Sequence, residues 1–342
     1  MAFLKNAWYV VAWGEEIGRE PLGRKVLGHE LVLFRKENAD PVALGGVCPH
    51  RFAPLAMGRL VGDVIECGYH GLQFDCAGAC VHNPNPGGSA PPKTNVPAFR
   101  VEERHKLIWL WGGDADAADP SKIPNLDWLD DPTRATVVGH LHVDANYQLY
   151  IDNLMDLTHA QFVHRDQLAV DRYPDAQFDV NESAGKVSAT IHVPDSGVPP
   201  VFTAFVGETD ARGDFVLISH WQVPSIVTND ISFRENESGS FLFQSYGTHV
   251  VTPESEHTAH YFYGLTRSHR VGDPAADDAA RAWHLRGFNE QDKPIIEAAA
   301  RMMGSETDPL ALGAAGVPTD GANIRARRIL QKRIAHEANL EH

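Results

Sequence analysis

The chain has 342 residues and a formal net charge of −15, with 43% hydrophobic and 22% charged residues. This length and composition are typical of a globular protein with two domains, and the acidic balance argues against a nucleic-acid-binding protein, whose surface is usually basic. Because no apolar run approaches the roughly 18 residues of a membrane span and the N-terminus lacks a secretory signal pattern, we expect a cytoplasmic protein with no membrane partner.

The N-terminal third of the chain predicts short β-strands. Between residue 7 and about residue 111, apolar or alternating runs are separated by turns, and they include WYVVAW, KVLGHELVLFR, PVALGGV, VIECGYHGLQF and KLIWLWGG. Their spacing favours a small antiparallel β domain. Residues 83–92, NPNPGGSAPP, are too rich in proline and glycine for regular structure. Since residues 112–134 turn acidic, we predict two domains, 1–120 and 121–342.

Beyond that boundary the chain mixes helices and strands. Residues 146–164 predict a helix, and four alternating runs then predict strands: SATIHV, FVLISHWQV, SFLFQSYGTHVVT and HTAHYFYGLTR. Residues 273–303 return to helical periodicity, with Pro294 able to kink or interrupt it. Residues 322–340 predict a terminal amphipathic helix whose arginines face solvent or an interface.

A cysteine and a histidine occur close together twice, in CPHRFAPL and in CGYHGLQF. Two cysteines and two histidines can bind zinc, but zinc fingers usually group the cysteines together and the histidines together. Here each half is mixed, so two β loops can present both cysteines to one iron and both histidines to the other, as in a Rieske [2Fe–2S] centre. We predict that Cys48, His50, Cys67 and His70 bind this cluster; zinc and metal-free packing are the alternatives.

A second group of polar residues lies within the predicted helix 146–164. At 100° per residue, one face carries Asp152, Asn153, Asp156, His159 and His164. The two histidines are about 140° apart, so they reach one metal only if the helix ends or bends there. Buried polar groups are costly unless they are paired or bind a ligand, and two imidazoles alone make an incomplete metal site.

The best third ligand is Asp292, in FNEQDKPIIEAAARM. Helical spacing places its carboxylate on the same stripe as Phe288, Ile295 and Ile296, where a carboxylate should be paired or metal-bound. Two histidines and one carboxylate form the facial triad of mononuclear non-haem Fe(II) oxygenases. Without the upstream cysteine–histidine motif, the two histidines would more simply be structural.

Two polar residues in the apolar strands, Asn229 and His249, are candidates to hold a carboxylate or carbonyl group of a substrate, and a satisfied structural role is the alternative for each. The remaining candidates are interpreted as structural, exposed or free: Cys76, Cys80, His257, His260 and His284.

Together the motifs C-P-H…C-x2-H and N-x2-D-x2-H-x4-H resemble the oxygenase components of Rieske non-haem iron oxygenases, over nearly the whole chain. NAWYVVAW, CPHRFAPL, CGYHGLQFD and DNLMDLTHAQFVH are most similar to the branch that contains vanillate and dicamba O-demethylases. The resemblance implies an α+β protein: an N-terminal antiparallel β Rieske domain, then an α+β catalytic domain with a curved antiparallel sheet and helices. It also implies a [2Fe–2S] cluster, a mononuclear Fe(II), O2 as co-substrate and a homotrimer.

The same resemblance implies roles for individual residues. Asp156 matches an aspartate that links a cluster histidine of one subunit, here His70, to an iron histidine of the next, here His159. Asn153 matches an asparagine that lies near the iron and is usually not a direct ligand. The resemblance thus implies that an electron reaches the iron through the neighbour's His70, then Asp156 and His159.

The chain contains no convincing flavin or nicotinamide motif, so its electrons come from a ferredoxin or an NAD(P)H-dependent reductase. We predict the terminal oxygenase of a multicomponent monooxygenase that hydroxylates an O- or N-alkyl group of a small aromatic compound and so dealkylates it. A methoxybenzoate is the first choice of substrate and an N-alkyl anilide the second. The alternatives are an aromatic-ring hydroxylating (di)oxygenase, and a Rieske electron-transfer or zinc-binding protein without oxygenase activity.

Overall fold

The computed structural model describes residues 3–89, 94–207 and 210–340. They form two compact units, which divide between Asn125 and Leu126, inside the acidic segment 112–134. Within the described ranges, no helix is both long enough and apolar enough to cross a membrane.

The first unit is built from short antiparallel strands in three sheets, ordered β1-β11-β10, β2-β3-β4-β9 and β5-β6-β7-β8. The strands are β1 (Trp8–Trp13), β2 (Leu22–Val26), β3 (His29–Arg35), β4 (Pro41–Gly45), β5 (Arg59–Val61), β6 (Val64–Glu66), β7 (Gln73–Phe74), β8 (Cys80–His82), β9 (Ala98–Phe99), β10 (Val101–Arg104) and β11 (Leu107–Trp111). Short 3₁₀ turns lie at Gly14–Glu16, Leu55–Met57, Ala115–Ala117 and Pro120–Lys122.

Strands β1 and β11 show why continuous apolar runs appear in this unit. Every residue of WYVVAW and of LIWLW is buried, so neither strand needs a polar face. They pair antiparallel, with Trp8 opposite Trp111 and Val10 opposite Trp109. The predicted loop at 83–92 has no strand or helix over residues 83–89, and residues 90–92 lie outside the described residues.

The second unit is one seven-stranded antiparallel sheet with helices, in the order β12-β18-β17-β16-β15-β14-β13. Its strands are β12 (Ala135–Val143), β13 (Gln177–Ser183), β14 (Lys186–Gly197), β15 (Arg212–Gln222), β16 (Ile226–Glu235), β17 (Phe241–Pro253) and β18 (Ala259–Arg267). Its helices are α1 (Tyr147–Met155), α2 (Ala160–Val163), α3 (Pro200–Val206), α4 (Pro274–His284), α5 (Lys293–Met303) and α6 (Gly321–Leu340), with 3₁₀ turns at Asp127–Leu129, Tyr173–Asp175 and Pro318–Asp320.

The predicted fold class, an antiparallel β domain followed by an α+β domain with an antiparallel sheet, is confirmed. The single helix predicted over 146–164 is wrong. Helix α1 ends at Met155, because Asp156 leaves the helical conformation and its carboxylate accepts hydrogen bonds from the N–H and the hydroxyl of Thr158. This Asx-type turn competes with helix continuation.

The predicted helix 273–303 contains a π-helical segment, Leu285–Asp292, between α4 and α5. Pro294, the second residue after this segment, supplies no N–H to the helix. π-Helical turns inside α-helices often occur at functional sites, and this one ends on a predicted metal ligand.

The terminal helix α6 is as predicted, but the assignment of its arginines to solvent or an interface is wrong for Arg327. This side chain is 4% exposed and forms a bidentate ion pair with Asp152 of α1, with Nε 3.0 and 2.9 Å from the two carboxylate oxygens. Asp152 therefore faces α6 and does not share a face with the two histidines, because the buried guanidinium requires a carboxylate partner.

Candidate metal centres and the cavity beside them

Two loops of the first unit have the same backbone hydrogen bonding. In each, the cysteine N–H donates to the carbonyl oxygen five residues later, at 2.9 Å in the Cys48 loop and 2.8 Å in the Cys67 loop. The fifth residue of each loop, Phe52 in one and Gly71 in the other, has a positive φ, of 58° and 74°. The two halves of the sequence motif therefore fold into matching loops.

The loops bring their cysteines together in the interior and their histidines together farther out. Cys48 and Cys67 are 1% and 2% exposed, whereas His50 is exposed and its ring lies 4.5 Å from that of His70, centroid to centroid. Burial raises the pKa of the Cys48 thiol to about 11, and the neighbouring Cys67 adds to the rise. The structure thus pairs the two predicted cysteine ligands with each other and the two predicted histidine ligands with each other.

These four side chains do not match a single-ion site. In a tetrahedral zinc site, ligand atoms lie at most about 3.8 Å apart. Among the described residues, no three of these four side chains have ligand atoms that all lie within 4.8 Å of one another. A cluster with one iron bound to the inner cysteines and another to the outer histidines fits this separation.

The second unit brings His159, His164 and Asp292 together. Nε2 of His164 lies 3.2 Å from Oδ1 of Asp292, Nε2 of His159 lies 3.6 Å from the same oxygen, and the two Nε2 atoms are 3.3 Å apart. Three ligands bonded at about 2.1 Å to one face of an octahedral ion lie about 3 Å apart. The geometry therefore fits one iron ion held by the predicted triad.

The break after α1 makes this geometry possible. His159 and His164 flank the single-turn helix α2, so the 140° separation expected on one straight helix does not apply. The expectation that they meet only where the helix ends or bends is confirmed. Asp292 is the last residue of the π-helical segment, which is tied to α1 by the Tyr150 hydroxyl donating to the Phe288 carbonyl oxygen at 3.2 Å.

Each histidine is oriented through its other ring nitrogen. Nδ1 of His159 contacts the main-chain oxygen of Asp156, and Nδ1 of His164 lies 2.8 Å from Oε1 of Gln291. Burial lowers the pKa of His164, but its contacts with Asp292 and Gln291 outweigh burial and raise it overall. Both rings consequently present Nε2 to the centre, because an oxygen bound at Nδ1 fixes the tautomer and the orientation of a metal-binding imidazole.

Asn153 lies beside the triad. Its amide nitrogen Nδ2 donates to Oδ1 of Asp292 at 3.2 Å, while its buried Oδ1 has no hydrogen-bond partner among the described residues. A buried unpaired oxygen is costly, so this atom fits a site that holds a further group.

The carboxylate of Asp156 accepts hydrogen bonds from Thr158 through Oδ1. His159 is contacted by the main-chain oxygen of Asp156 and not by this carboxylate.

A cavity adjoins the triad. Its wall is mostly apolar and includes Leu157, Phe202, Phe215, Leu217, Ile231, Leu265 and Phe288. An apolar cavity lined by a few convergent polar groups is typical of a small-molecule site.

The sheet contributes a chain of hydrogen bonds to this cavity. Ser219 donates to Oδ1 of Asn229 at 2.8 Å, Nδ2 of Asn229 lies 3.2 Å from Nε2 of His249, and Nδ1 of His249 lies 2.7 Å from the Tyr261 hydroxyl. Both residues predicted to hold substrate, Asn229 and His249, therefore line the cavity, and each also has partners in the fold. Burial lowers the pKa of His249 to about 3, which keeps it neutral.

Three residues around the site were not among the predicted site residues: Gln291, Trp283 and His284. Trp283 and His284 line the cavity, although His284 was assigned to the structural or exposed histidines. The sequence contained a signal for His284, since His284, Phe288 and the predicted ligand Asp292 are spaced by four residues each and therefore lie on one face of a helix. The role of Gln291 depends on a contact with a residue 127 positions away, which no local pattern reveals.

Comparisons with known proteins agree with both sites. Residues 7–100 match the Rieske [2Fe-2S] domain, and residues 143–336 match the vanillate O-demethylase oxygenase C-terminal domain. The chain is 39% identical to the oxygenase component of dicamba O-demethylase from Stenotrophomonas maltophilia, over 97% of this chain and 98% of that one. It is 38% identical to the oxygenase component of chloroacetanilide N-alkylformylase from Rhizorhabdus wittichii, over 98% and 97% of the two chains.

Solved structures give the same result. A crystal structure of dicamba monooxygenase bound to 3,6 dichlorosalicylic acid superposes with a TM-score of 0.93 at 38% identity, covering 99% of both chains. A second one, of dicamba monooxygenase with non-haem iron and dicamba, gives a TM-score of 0.85 at 37% identity over 99% of each chain.

Proposed function

This chain belongs to the Rieske non-haem iron oxygenases, and we propose that it is a terminal oxygenase that removes an O- or N-alkyl group from a small aromatic compound. Its cofactors are a Rieske [2Fe–2S] cluster and a mononuclear iron, and it uses O2. The observation that carries the proposal is the triad of His159, His164 and Asp292 at the wall of a largely apolar cavity.

The residues that would hold the cofactors follow from the donor sets. Cys48, Cys67, His50 and His70 would hold the cluster, because their matching loops separate the thiols from the imidazoles. The triad would hold the iron through two Nε2 atoms and one carboxylate oxygen. When bound, the two iron centres supply one-electron transfer and O2 activation, so that an alkyl carbon, O2, two electrons and two protons give a hydroxylated carbon and water.

The chain's own residues set the conditions for that chemistry. Asp292 is 1% exposed and holds its carboxylate between the two imidazoles. The apolar wall excludes water from the reacting carbon, which prevents side reactions. A hydroxylated O- or N-alkyl carbon is a hemiacetal or hemiaminal, and it collapses to an aldehyde and the dealkylated product.

We also infer a homotrimer in which Asp156 of one subunit faces His70 of the next. In support, Asp156 is only partly buried, its main-chain oxygen contacts Nδ1 of His159, and Oδ1 of its carboxylate accepts a hydrogen bond from Thr158. Electrons would come from a ferredoxin or an NAD(P)H-dependent reductase. The predicted cytoplasmic location remains a prediction.

The relatives support dealkylation of an aromatic compound. The similarity to a dicamba O-demethylase supports removal of an O-methyl group, and the similarity to a chloroacetanilide N-alkylformylase supports removal of an N-alkyl group. From the sequence, a methoxybenzoate is the first substrate to test and an N-alkyl anilide the second. Ring hydroxylation is the second candidate function, and an aromatic product that keeps its alkyl group would reveal it.

Formaldehyde release tests the proposal. The purified protein, loaded with iron and supplied with a surrogate ferredoxin and reductase, is incubated with methoxybenzoates and N-methyl anilides. We expect formaldehyde and dealkylated product in equal amounts, dependent on O2 and on the reductase. Hydroxylated rings without formaldehyde would contradict dealkylation.

A further inference from the structure

The hydrogen-bond chain from Ser219 to Tyr261 beside the cavity has a defined direction. The hydroxyl of Ser219 donates to Oδ1 of Asn229 at 2.8 Å, so the amide directs Nδ2 toward Nε2 of His249, 3.2 Å away. An amide nitrogen only donates, so Nε2 accepts and the one proton of the neutral imidazole is on Nδ1. This N–H donates to the hydroxyl oxygen of Tyr261 at 2.7 Å.

The chain ends on a hydroxyl proton that has no acceptor. Among the described residues, Nδ1 of His249 is the only hydrogen-bond partner of the Tyr261 hydroxyl. While Nδ1 donates to this oxygen, the O–H of Tyr261 is left unpaired in a side chain that is 0% exposed. A buried unpaired donor is costly, so in this state the chain lacks one hydrogen bond.

Packing holds Tyr261 in place. Its ring centroid lies 4.4 Å from that of Tyr150, 5.3 Å from that of Tyr263 and 5.4 Å from that of Phe288. Its ring plane is 15° from that of His249, and burial raises its pKa well above the usual value. The hydroxyl therefore stays protonated beside Nδ1, and it changes from acceptor to donor by rotating its O–H bond.

A carboxylate in the cavity would reverse the chain. Asn229 and His249 are the two residues predicted to hold a carboxylate or carbonyl group of a substrate, and both line the cavity. Because a carboxylate only accepts, His249 binds it in its other neutral tautomer, with the proton on Nε2. Nδ1 is then an acceptor for the O–H of Tyr261 that was unpaired. The change is neutral overall, since one proton leaves Nδ1 and another binds Nε2, both by exchange with water.

We propose that Tyr261 is a positioning residue for an aromatic carboxylate substrate: its hydroxyl donates to Nδ1 of His249, so that His249 and Asn229 each present an N–H to the carboxylate. This inference rests on the proposed dealkylase function and on the predicted role of these two residues. It selects aromatic acids within the substrate class, so methoxybenzoates stay ahead of N-alkyl anilides.

The test compares meta-methoxybenzoate with meta-methoxytoluene, in which a methyl group replaces the carboxylate. Their binding to the iron- and cluster-loaded protein is measured by calorimetry without O2 at neutral pH. We expect the wild type to bind the benzoate more tightly than methoxytoluene. Tyr261→Phe should bind the benzoate about tenfold more weakly, because the buried hydrogen bond gained on binding is lost, and its affinity for methoxytoluene should stay within about twofold.

Tyr263→Phe is the matched control, because it removes the hydroxyl of a neighbouring buried tyrosine that has no hydrogen bond to His249. Both of its affinities should stay within about twofold of the wild type. His249→Leu should weaken benzoate binding at least as much as Tyr261→Phe, and in that background Tyr261→Phe should add no further loss, because the ring that it orients is gone. Iron and sulfide analysis shows whether each variant retains its cofactors.

Any of four results would overturn the inference: no preference of the wild type for the benzoate, unchanged benzoate affinity in Tyr261→Phe, an equal loss for both ligands, or a smaller loss in His249→Leu than in Tyr261→Phe. A further tenfold loss from Tyr261→Phe in the His249→Leu background would also contradict it. Formaldehyde release by the wild type is measured separately on both compounds. Formaldehyde from either compound supports dealkylation whatever the binding results, so a failed role of Tyr261 is distinguished from a failed function.

Discussion

Oε1 of Gln291 accepts a hydrogen bond from Nδ1 of His164 at 2.8 Å, and Nε2 of the same amide donates to Asp166 at 3.1 Å. The amide is thereby fixed at both ends, with its oxygen toward the histidine. It holds the imidazole in the tautomer that presents Nε2 to Asp292, 3.2 Å away. Gln291 thus positions a metal ligand without being one.

Replacing Gln291 with leucine should weaken iron binding, because the ring of His164 loses the partner that orients it. Loss of a hydrogen bond that orients a metal ligand typically costs about 10- to 100-fold in metal affinity. The measurement is a chelator competition for Fe(II) on protein whose cluster is intact. Asp166→Asn is the matched control, since its amide oxygen can still accept from Nε2 of Gln291, and it should bind iron within a few-fold of the wild type; equal affinity in Gln291→Leu would rule out the orienting role.

Replacing Asp156 with asparagine should leave both metal sites filled and nearly abolish turnover. Oδ1 of an asparagine can still accept the two bonds from Thr158 that shape the turn after α1, so the fold is preserved while the carboxylate charge is lost. Iron analysis and steady-state formaldehyde release measure the two effects. Full activity in this variant would show that Asp156 does not bridge the subunits.

The buried ion pair between Arg327 and Asp152 should be a large contributor to stability. Arg327→Met leaves the Asp152 carboxylate without its bidentate partner, and breaking a buried pair in this way costs about 3–5 kcal/mol. Urea unfolding measures the free energy of unfolding. The neighbouring exposed Arg328 provides the control, since Arg328→Met should change stability by less than about 0.5 kcal/mol; similar losses in both variants would contradict the assignment.

Gly247 leaves the space in which Asn229 and His249 meet. A Cβ at this position would lie 2.7 Å from Nε2 of His249 and 3.0 Å from Cβ of Asn229. Gly247→Ala should therefore displace the hydrogen-bonded side chains of Asn229 and His249. We expect it to lower the free energy of unfolding by about 1–3 kcal/mol and to lower the free energy of substrate binding by more. Gly197→Ala, where the new Cβ would meet only an Arg212 nitrogen at 3.7 Å, should change neither binding nor stability appreciably, and equal effects of the two variants would refute the steric argument.

Much of this architecture follows from local sequence patterns. Continuous apolar runs such as WYVVAW predict buried strands, and the mixed spacing around Cys48 and Cys67 predicts two equivalent loops, because each ligand pair is fixed by a few neighbouring residues. His159 and His164 are identified by the same kind of local spacing. These features depend on contacts within one strand, turn or loop.

The remaining features depend on contacts between distant segments. The single helix predicted over residues 146–164 did not include the turn in which Asp156 binds Thr158. It also placed Asp152 on the wrong face, because the partner of Asp152, Arg327, lies 175 residues later. His284 was interpreted as structural or exposed because helical periodicity does not show that a cavity faces it. Partners brought together by tertiary packing override the local pattern in each case.

The most direct test of the central claim is an analysis of iron and acid-labile sulfide per chain in the wild type and in His159→Ala. A [2Fe–2S] cluster and one mononuclear iron give three irons and two sulfides in the wild type. Loss of one triad ligand should leave two irons, two sulfides and the visible absorption of the cluster in His159→Ala. Zinc in place of iron and sulfide, or loss of cluster and iron together in this variant, would contradict two separate iron centres.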